Sequence, residues 1–187
     1  MNFSYLVLLI ISIASVSLQS EYSVGNAWRA GGTLTDTSSG SAVDNEGNVY
    51  LTGTFQGTAY FNASTTLRTN SSSDVGMYLA KYSIHGDLLW VDSTGGSSPN
   101  SHAIAVNTDG VYIVGSYSGN ATFGTGNLTS IGQTDVFLAK YSLNGAFMWV
   151  RSGGSRNTDE AVGIAVGNST VVIVGYTQGN FSMDTFN

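Results

Sequence analysis

The sequence predicts an all-β protein made of four-stranded antiparallel repeat units of about 60 residues, packed as blades of an incomplete β-propeller. Three landmarks recur at one period. The first is a set of tryptophans spaced by 62 and 59 residues, Trp28, Trp90 and Trp149. The second is a set of glycines that interrupt apolar runs, spaced by 62 and 60 residues, Gly53, Gly115 and Gly175. The third is the segment Leu-Ala-Lys-Tyr-Ser, which begins at Leu79 and at Leu138. A common period at three independent landmarks indicates duplicated structural units.

Four strands are predicted in each unit, because runs rich in Val, Ile, Tyr, Phe and Trp are bounded by Gly, Asn, Asp or Ser. In the second unit the predicted strands are 103–106, 111–117, 136–141 and 147–151. His85-Gly86 and Asn144-Gly145 each stand between strands three and four, and they predict two-residue hairpin turns with positive φ. The stretch between strands two and three is rich in Gly, Asn, Ser and Thr, which predicts a long loop.

The predicted units must pack on one another to cover the two faces of each sheet. A single four-stranded meander leaves both faces uncovered, so such units pack face to face around an axis or along a line. Four antiparallel strands per unit favour the propeller over the linear solenoid.

The repeat divides the chain into five predicted parts. Residues 1–20 are a signal peptide, and residues 21–33 match a fourth strand alone, as in a propeller closed by its own N-terminal strand. The first blade spans 34–96, the second 97–154, and a partial third 155–187. Because a closed ring has roughly four to eight blades, we expect further blades of a longer chain, or self-association.

The third unit carries a family resemblance. Asp-Glu-Ala-Val-Gly-Ile-Ala-Val at 159–166, the run Val-Val-Ile-Val-Gly-Tyr-Thr at 171–177 and Gly-Asn-Phe at 179–181 resemble the bacterial-type β-propeller repeat family abbreviated SBBP. Residues 135–140 and 149–154 resemble it too, and the resemblance covers roughly residues 27–187. It implies a surface or secreted protein, and it implies no particular activity.

The N-terminus predicts export. An apolar core at 5–11 is followed by the small residues Ser15, Ser17 and Ser20. This core is far shorter than the roughly 20 residues of a membrane span, so it predicts a cleaved signal peptide and no membrane insertion afterwards. The alternative is an uncleaved anchor, since no Lys or Arg precedes the core. Six glycosylation sequons follow, at Asn62, Asn70, Asn120, Asn127, Asn168 and Asn180. We therefore expect a secreted or cell-surface glycoprotein.

Charge and cysteine content exclude several classes of function. The net charge is −6 and no basic stripe is present, which argues against nucleic acid as a partner. The sequence has no Cys, which excludes disulfides, thiolate metal sites and cysteine nucleophiles.

No catalytic, cofactor or metal site is predicted. Acidic residues near the turns suit either a cation site, as in Asp44-Asn45-Glu46, or hydrogen bonds to their own turn backbone. The two histidines, His85 and His102, have no metal-ligand spacing. The glycine pairs 31–32, 95–96 and 153–154 open no helix, so they predict turns after the outer strand rather than phosphate loops.

These observations predict a binding scaffold for a protein or glycan, without catalysis of its own. Three aromatic residues of the long loops are candidates for stacking on sugar rings, Tyr60, Phe61 and Phe123. Two alternatives stay open. One is a fragment of a propeller enzyme, a glycan hydrolase or lyase, whose active residues lie in missing blades; the other is a purely structural surface protein.

Overall fold

A computed structural model describes residues 7–10, 26–96 and 98–184. Its regular structure is entirely β-strand. The strands in chain order are β1 (Val7–Ile10), β2 (Asn26–Arg29), β3 (Gly31–Gly32), β4 (Asp36–Val43), β5 (Val49–Gln56), β6 (Thr58–Tyr60), β7 (Thr66–Arg68), β8 (Val75–Tyr82), β9 (Leu88–Gly96), β10 (Asn100–Asn107), β11 (Gly110–Tyr117), β12 (Asn120–Phe123), β13 (Gly126–Thr129), β14 (Asp135–Tyr141), β15 (Phe147–Gly154), β16 (Asp159–Val166), β17 (Val171–Thr177) and β18 (Ser182–Met183). The described ranges hold no helix that could cross a membrane.

The described residues form five antiparallel sheets. Sheet A denotes the strands β4-β5-β8-β9 of the six-stranded sheet, which continues through β12 and β13, and sheet B denotes β10-β11-β14-β15 of the five-stranded sheet, which ends with β18. Sheet C consists of β16 and β17, and the two remaining sheets are β1-β2 and β3-β6-β7. Sheets A, B and C are each a meander, because each strand pairs with the next main strand of its own unit. The four strands predicted in the second unit all occur, each somewhat longer than predicted. This all-β arrangement is consistent with a propeller-like fold.

The turns between strands three and four differ from the prediction of two-residue loops. Gly86 N donates to Ser83 O over 2.9 Å, and Ser83 N donates to Asp87 O over 2.8 Å, so three residues form the loop. The φ angle is positive at Gly86 (88°) and Gly145 (85°), whereas His85 and Asn144 keep negative φ. A β-turn followed by a left-handed glycine makes a bulge whose twist matches that of the paired strands.

The predicted long loop is a second hairpin in both complete units. In the first unit β6 and β7 form this hairpin, and in the second β12 and β13 form it. Each hairpin adds to the end of the preceding unit's fourth strand: β6 pairs with β3, and β12 pairs with β9. In the third unit β18 pairs with the end of β15 in the same way.

The glycine pairs are therefore strand residues, and the prediction that they form turns is wrong. Gly31-Gly32, Gly95-Gly96 and Gly153-Gly154 pair with β6, β12 and β18 of the following unit. Their lack of a side chain permits this approach, since a Cβ on Gly96 would lie 2.3 Å from the carbonyl oxygen of Asn120. Glycine is common where two backbones come this close.

The core lies between the sheets rather than within one of them. Between sheets A and B, Tyr50 and Leu79 share a buried cluster with Ile113 and Phe137. Between sheets B and C, Leu138 and other side chains of sheet B pack against Ala161 and its neighbours. A third cluster covers the other face of sheet A. Face-to-face packing of this kind is what the repeat predicts.

Little of the predicted leader is within the described residues. Its segment Val7–Ile10 forms β1, which pairs antiparallel with β2, the strand that carries Trp28. Residues 11–25 lie outside the described residues. The signal peptide, the closing strand and the blade boundaries stay predictions.

Candidate interaction surface

A cluster of four side chains joins the turn end of sheet A to sheet B. Lys81 Nζ lies 3.4 Å from Asp44 Oδ2 and 4.8 Å from the ring centre of Tyr50. Lys81 Nζ and Trp90 Nε1 both donate to the carbonyl oxygen of Leu143, over 3.4 and 3.2 Å. Leu143 lies in the turn between β14 and β15. Lys81 and Trp90 therefore join sheet A to the turn of sheet B.

Asp44 supports its own turn. Its Oδ1 accepts the backbone N–H groups of Glu46 and Asn48 over 3.0 and 2.9 Å. Its Oδ2 accepts the Tyr50 hydroxyl over 3.1 Å and the Asn48 amide over 3.0 Å. Burial raises the pKa of Asp44, but hydrogen bonds from Asn48, Tyr50 and Glu46 outweigh burial and hold that pKa below its ordinary value. Both carboxylate oxygens of Asp44 thus accept hydrogen bonds from nearby residues. The described residues contain no cluster of three or more metal-binding side chains.

The same arrangement recurs on sheet B, where it faces sheet C. The Lys140 Nζ lies 5.1 Å from the ring centre of Tyr112. The rings of Tyr112 and Trp149 lie 6.3 Å apart at 67°, against 6.0 Å and 64° for Tyr50 and Trp90 in sheet A. The repeat therefore preserves side-chain geometry as well as strand order.

A groove opens beside this second cluster. It has a volume of about 400 Å³, and Tyr112, Leu138 and Trp149 line it together with Ile173 and Met183. The corresponding surface of sheet A is covered by β14, β15 and their turn. In the described part of the chain, no strand lies over this part of sheet B.

Sheet C presents an apolar surface to solvent. Val172, Val174 and Tyr176 of β17 are 52%, 57% and 47% exposed. The equivalent second-strand residues of sheet A, Tyr50 and Thr52, are completely buried.

The loop aromatics do not form one ligand-binding surface. Phe123 is completely buried, with its ring centre 4.7 Å from that of Phe137. Phe61 is buried against Tyr78, with ring centres 5.1 Å apart. Tyr60 alone of the three candidates is exposed. The expectation that Phe61 and Phe123 stack on sugar rings is corrected, because their hairpins turn these rings into the core.

Three aspartates at strand starts are buried or half-buried and cap their own loops. Asp36 Oδ2 accepts Gly32 N over 2.6 Å, and Asp159 Oδ2 accepts Ser155 N over 2.6 Å. Asp135 Oδ2 accepts Ile131 N over 2.9 Å. Burial, with a contribution from nearby Asp159, raises the pKa of Asp135. Asp135 and Asp159 are at most 1% exposed, so neither carboxylate can reach a bound glycan.

The histidines and the sequons are separate surface features. His85 is exposed in its turn, and His102 Nε2 lies 3.2 Å from Ser116 Oγ. All six sequon asparagines, Asn62, Asn70, Asn120, Asn127, Asn168 and Asn180, are exposed. Asn168 also lines the groove beside Trp149.

The hairpins β6–β7 and β12–β13 are not predicted from the sequence, although periodic glycines mark their starts. Gly57, Gly119 and Gly179 recur 62 and 60 residues apart, and they precede β6, β12 and β18. Gly57 and Gly119 have positive φ angles of 65° and 62°. A third set of periodic glycines, followed by short alternating segments, is the feature that could have revealed these hairpins.

Comparison with known proteins supports the repeat. No protein-family model matches the chain. In an alignment of 154 positions that covers 72% of this chain, the chain is 27% identical to an uncharacterized WD repeat-containing protein of Acanthamoeba polyphaga mimivirus. The alignment covers 11% of that protein. WD repeats form propeller blades, so the similarity supports a β-propeller-like repeat; it does not extend to the bacterial-type family.

Proposed function

We propose that this protein is a non-catalytic β-propeller scaffold that binds other proteins. In this proposal sheets A and B are four-stranded blades and sheet C is the first half of a third. The observation that carries the proposal is the side-chain arrangement that recurs from sheet A to sheet B, with a lysine over a tyrosine beside a tryptophan, in a chain similar to a WD repeat-containing protein.

Two further observations favour a scaffold over an enzyme. The acidic side chains near the turns accept hydrogen bonds from their own loops. The recurrent lysine and tryptophan of sheet A, Lys81 and Trp90, donate hydrogen bonds to the turn of sheet B. The similarity to a WD repeat-containing protein agrees with this proposal, since propellers of that type present surfaces to partners.

A peptide-display selection on the immobilised full chain tests this function. Enriched peptides should bind the folded protein saturably, and scrambled peptides of equal composition should not. Selection without enrichment, or equal binding of the scrambled peptides, would contradict a binding role.

We further propose that the protein is exported and N-glycosylated. The apolar leader and the exposure of all six sequon asparagines support this proposal. After expression in a eukaryotic secretory host, the product should lack Met1 and should lose mass on treatment with an N-glycosidase. A cytosolic product that retains Met1 and keeps its mass would contradict it.

A further inference from the structure

Tyr60 presents its ring to solvent at the end of β6. The residue is 51% exposed. Its cross-strand neighbours are Gly31 of β3 and Thr66 of β7. Glycine has no side chain and threonine has a short one, so these neighbours leave a face of the phenol ring open. An exposed tyrosine offers an apolar ring and a polar hydroxyl, a combination that is common where proteins contact a ligand.

A glycosylation sequon begins two residues later, at Asn62, on the same side of the hairpin. Exposure alternates along this segment, because Ala59 and Phe61 are buried in the core. Tyr60 and Asn62 are exposed. At about 3.3 Å per residue, the Cα atoms of Tyr60 and Asn62 lie no more than about 7 Å apart. The sequon and the open ring therefore share one exposed face.

The turn between β6 and β7 orients the carboxamide of Asn62. Its Oδ1 accepts the backbone N–H groups of Ser64 and Thr65 over 2.9 and 2.6 Å. Phe61 N donates to Thr65 O over 2.9 Å and closes the turn. Because Oδ1 faces the turn, Nδ2 on the other side of the planar amide faces away from it. Nδ2 is the atom that carries an N-linked glycan, so a first sugar would extend over the exposed face.

An aromatic residue two positions before the asparagine occurs at this sequon and at none of the other five. The corresponding residues of the other sequons are Arg68, Ser118, Thr125, Val166 and Gln178. In the second hairpin, Thr122 stands where the first has Tyr60, and its hydroxyl donates to Asn127 Oδ1 over 3.0 Å. The pairing of an open ring with an attachment point is therefore particular to Asn62.

The chemistry of an amino sugar fits the ring of Tyr60. A pyranose presents C–H groups on its faces, and the negative face of an aromatic ring attracts them. A sugar on Asn62 is tethered two residues from that ring, so its effective concentration there is high and the contact costs little further translational freedom. A free sugar would have to supply that cost from its own contacts.

We propose, as a refinement that rests on the proposed N-glycosylation, that Tyr60 binds the first N-acetylglucosamine of a glycan on Asn62. On attachment, the oligosaccharyltransferase of the secretory host forms the bond between Nδ2 and C1 of the sugar. The bond from C1 to the pyrophosphate of a lipid-linked donor breaks, and Nδ2 loses a proton. Oδ1 keeps its hydrogen bonds to the turn. The sugar then covers the ring of Tyr60 and stabilises the hairpin.

A double-mutant cycle on the full chain from a eukaryotic secretory host tests this contact. Ser64→Ala removes the sequon at Asn62 but keeps Asn62 and the other five sequons. After an endoglycosidase has trimmed high-mannose glycans to the first N-acetylglucosamine, Ser64→Ala should melt about 1–6 °C below the wild type. In a Tyr60→Ala background, Ser64→Ala should change the melting temperature by less than about 1 °C, because the ring that the sugar contacts is absent.

Two controls and a second measurement isolate the sugar. In the same four proteins made without glycans in a bacterial cytoplasm, the two substitutions should be additive within about 1 °C. Ser72→Ala, which removes the sequon at Asn70, should have the same effect with and without the Tyr60 ring. In the NMR spectrum of the trimmed wild-type protein, the ring current of Tyr60 should shift the sugar protons upfield, and Tyr60→Ala should abolish that shift.

Mass spectrometry of peptides that contain each sequon separates the two proposals. If Asn62 carries a sugar, but the cycle is additive or the sugar protons are unshifted, the contact with Tyr60 is overturned and N-glycosylation stands. If other sequons carry sugars and Asn62 carries none, this inference fails and N-glycosylation again stands. If none of the six asparagines carries a sugar, both proposals fail.

Discussion

Replacement of Gly96 by alanine tests whether each hairpin is held by the glycine pair of the preceding unit. The new Cβ would lie 2.3 Å from the carbonyl oxygen of Asn120 and 2.6 Å from the Cα of Ala121, and φ at this position is 111°. A side chain in so sparsely populated a conformation costs about 1–3 kcal/mol. If β12 is displaced, its two residue pairs with β9 are lost as well, at about 0.5–1.5 kcal/mol for each hydrogen bond.

We therefore expect Gly96→Ala to lower the free energy of unfolding by about 2–6 kcal/mol, which at a urea dependence of about 2 kcal/mol/M shifts the midpoint down by about 1–3 M. Urea unfolding followed by tryptophan fluorescence measures the shift. Gly95→Ala is the matched control, because no atom lies within 4 Å of its new Cβ, and it should stay within about 0.5 kcal/mol of the wild type. Equal midpoints for the two variants would refute the reasoning.

Three further predictions concern the core, the acid response and metals. Phe123→Ala should destabilise the fold by about 3–5 kcal/mol in urea unfolding, while Tyr60→Ala should have little effect; equal losses would contradict the assigned burial. Asp44 has a lowered pKa in the folded state, so its stabilising contribution is present above the unfolded pKa of about 4 and is lost as pH falls through the folded pKa. The melting temperature of Asp44→Asn should therefore fall less steeply below about pH 4 than that of the wild type, and parallel curves would argue against this role. Millimolar calcium should leave the melting temperature unchanged, since a bound ion at a hundred times its Kd would add about 2.7 kcal/mol; a rise of several degrees would reveal a cation site.

The strands of the sheets could be predicted because their evidence is local. Runs such as Val111–Tyr117 combine β-branched and aromatic residues within one element, and the period places the same element in each unit. The pairing of β12 with Gly95 and Gly96 has no comparable local evidence, because glycine contributes no pattern and the hairpin residues are mostly polar.

The side chains of the candidate site likewise have features that the sequence displays and contacts that it does not. The recurrence of Lys81 and Lys140 is visible in the sequence, but the carbonyl oxygen that Lys81 contacts belongs to Leu143, 62 residues later. Phe123 stands in a segment with loop composition, and only the fold of its hairpin turns the ring into the core. Contacts between units thus decide what these residues do, and a single sequence does not display such contacts.

Each hairpin pairs with the fourth strand of the preceding unit, and this pairing affects how such a repeat array can change length in evolution. A deletion of one whole period, from the end of β9 to the end of β15, would bring Gly95-Gly96 against β18, the segment that now pairs with Gly153-Gly154. The glycine pair and the strand that pairs with it are both duplicated with the repeat. Unequal recombination in register therefore restores every pairing between a glycine pair and the following unit. The same event out of register would leave one glycine pair without a strand, and selection would remove it.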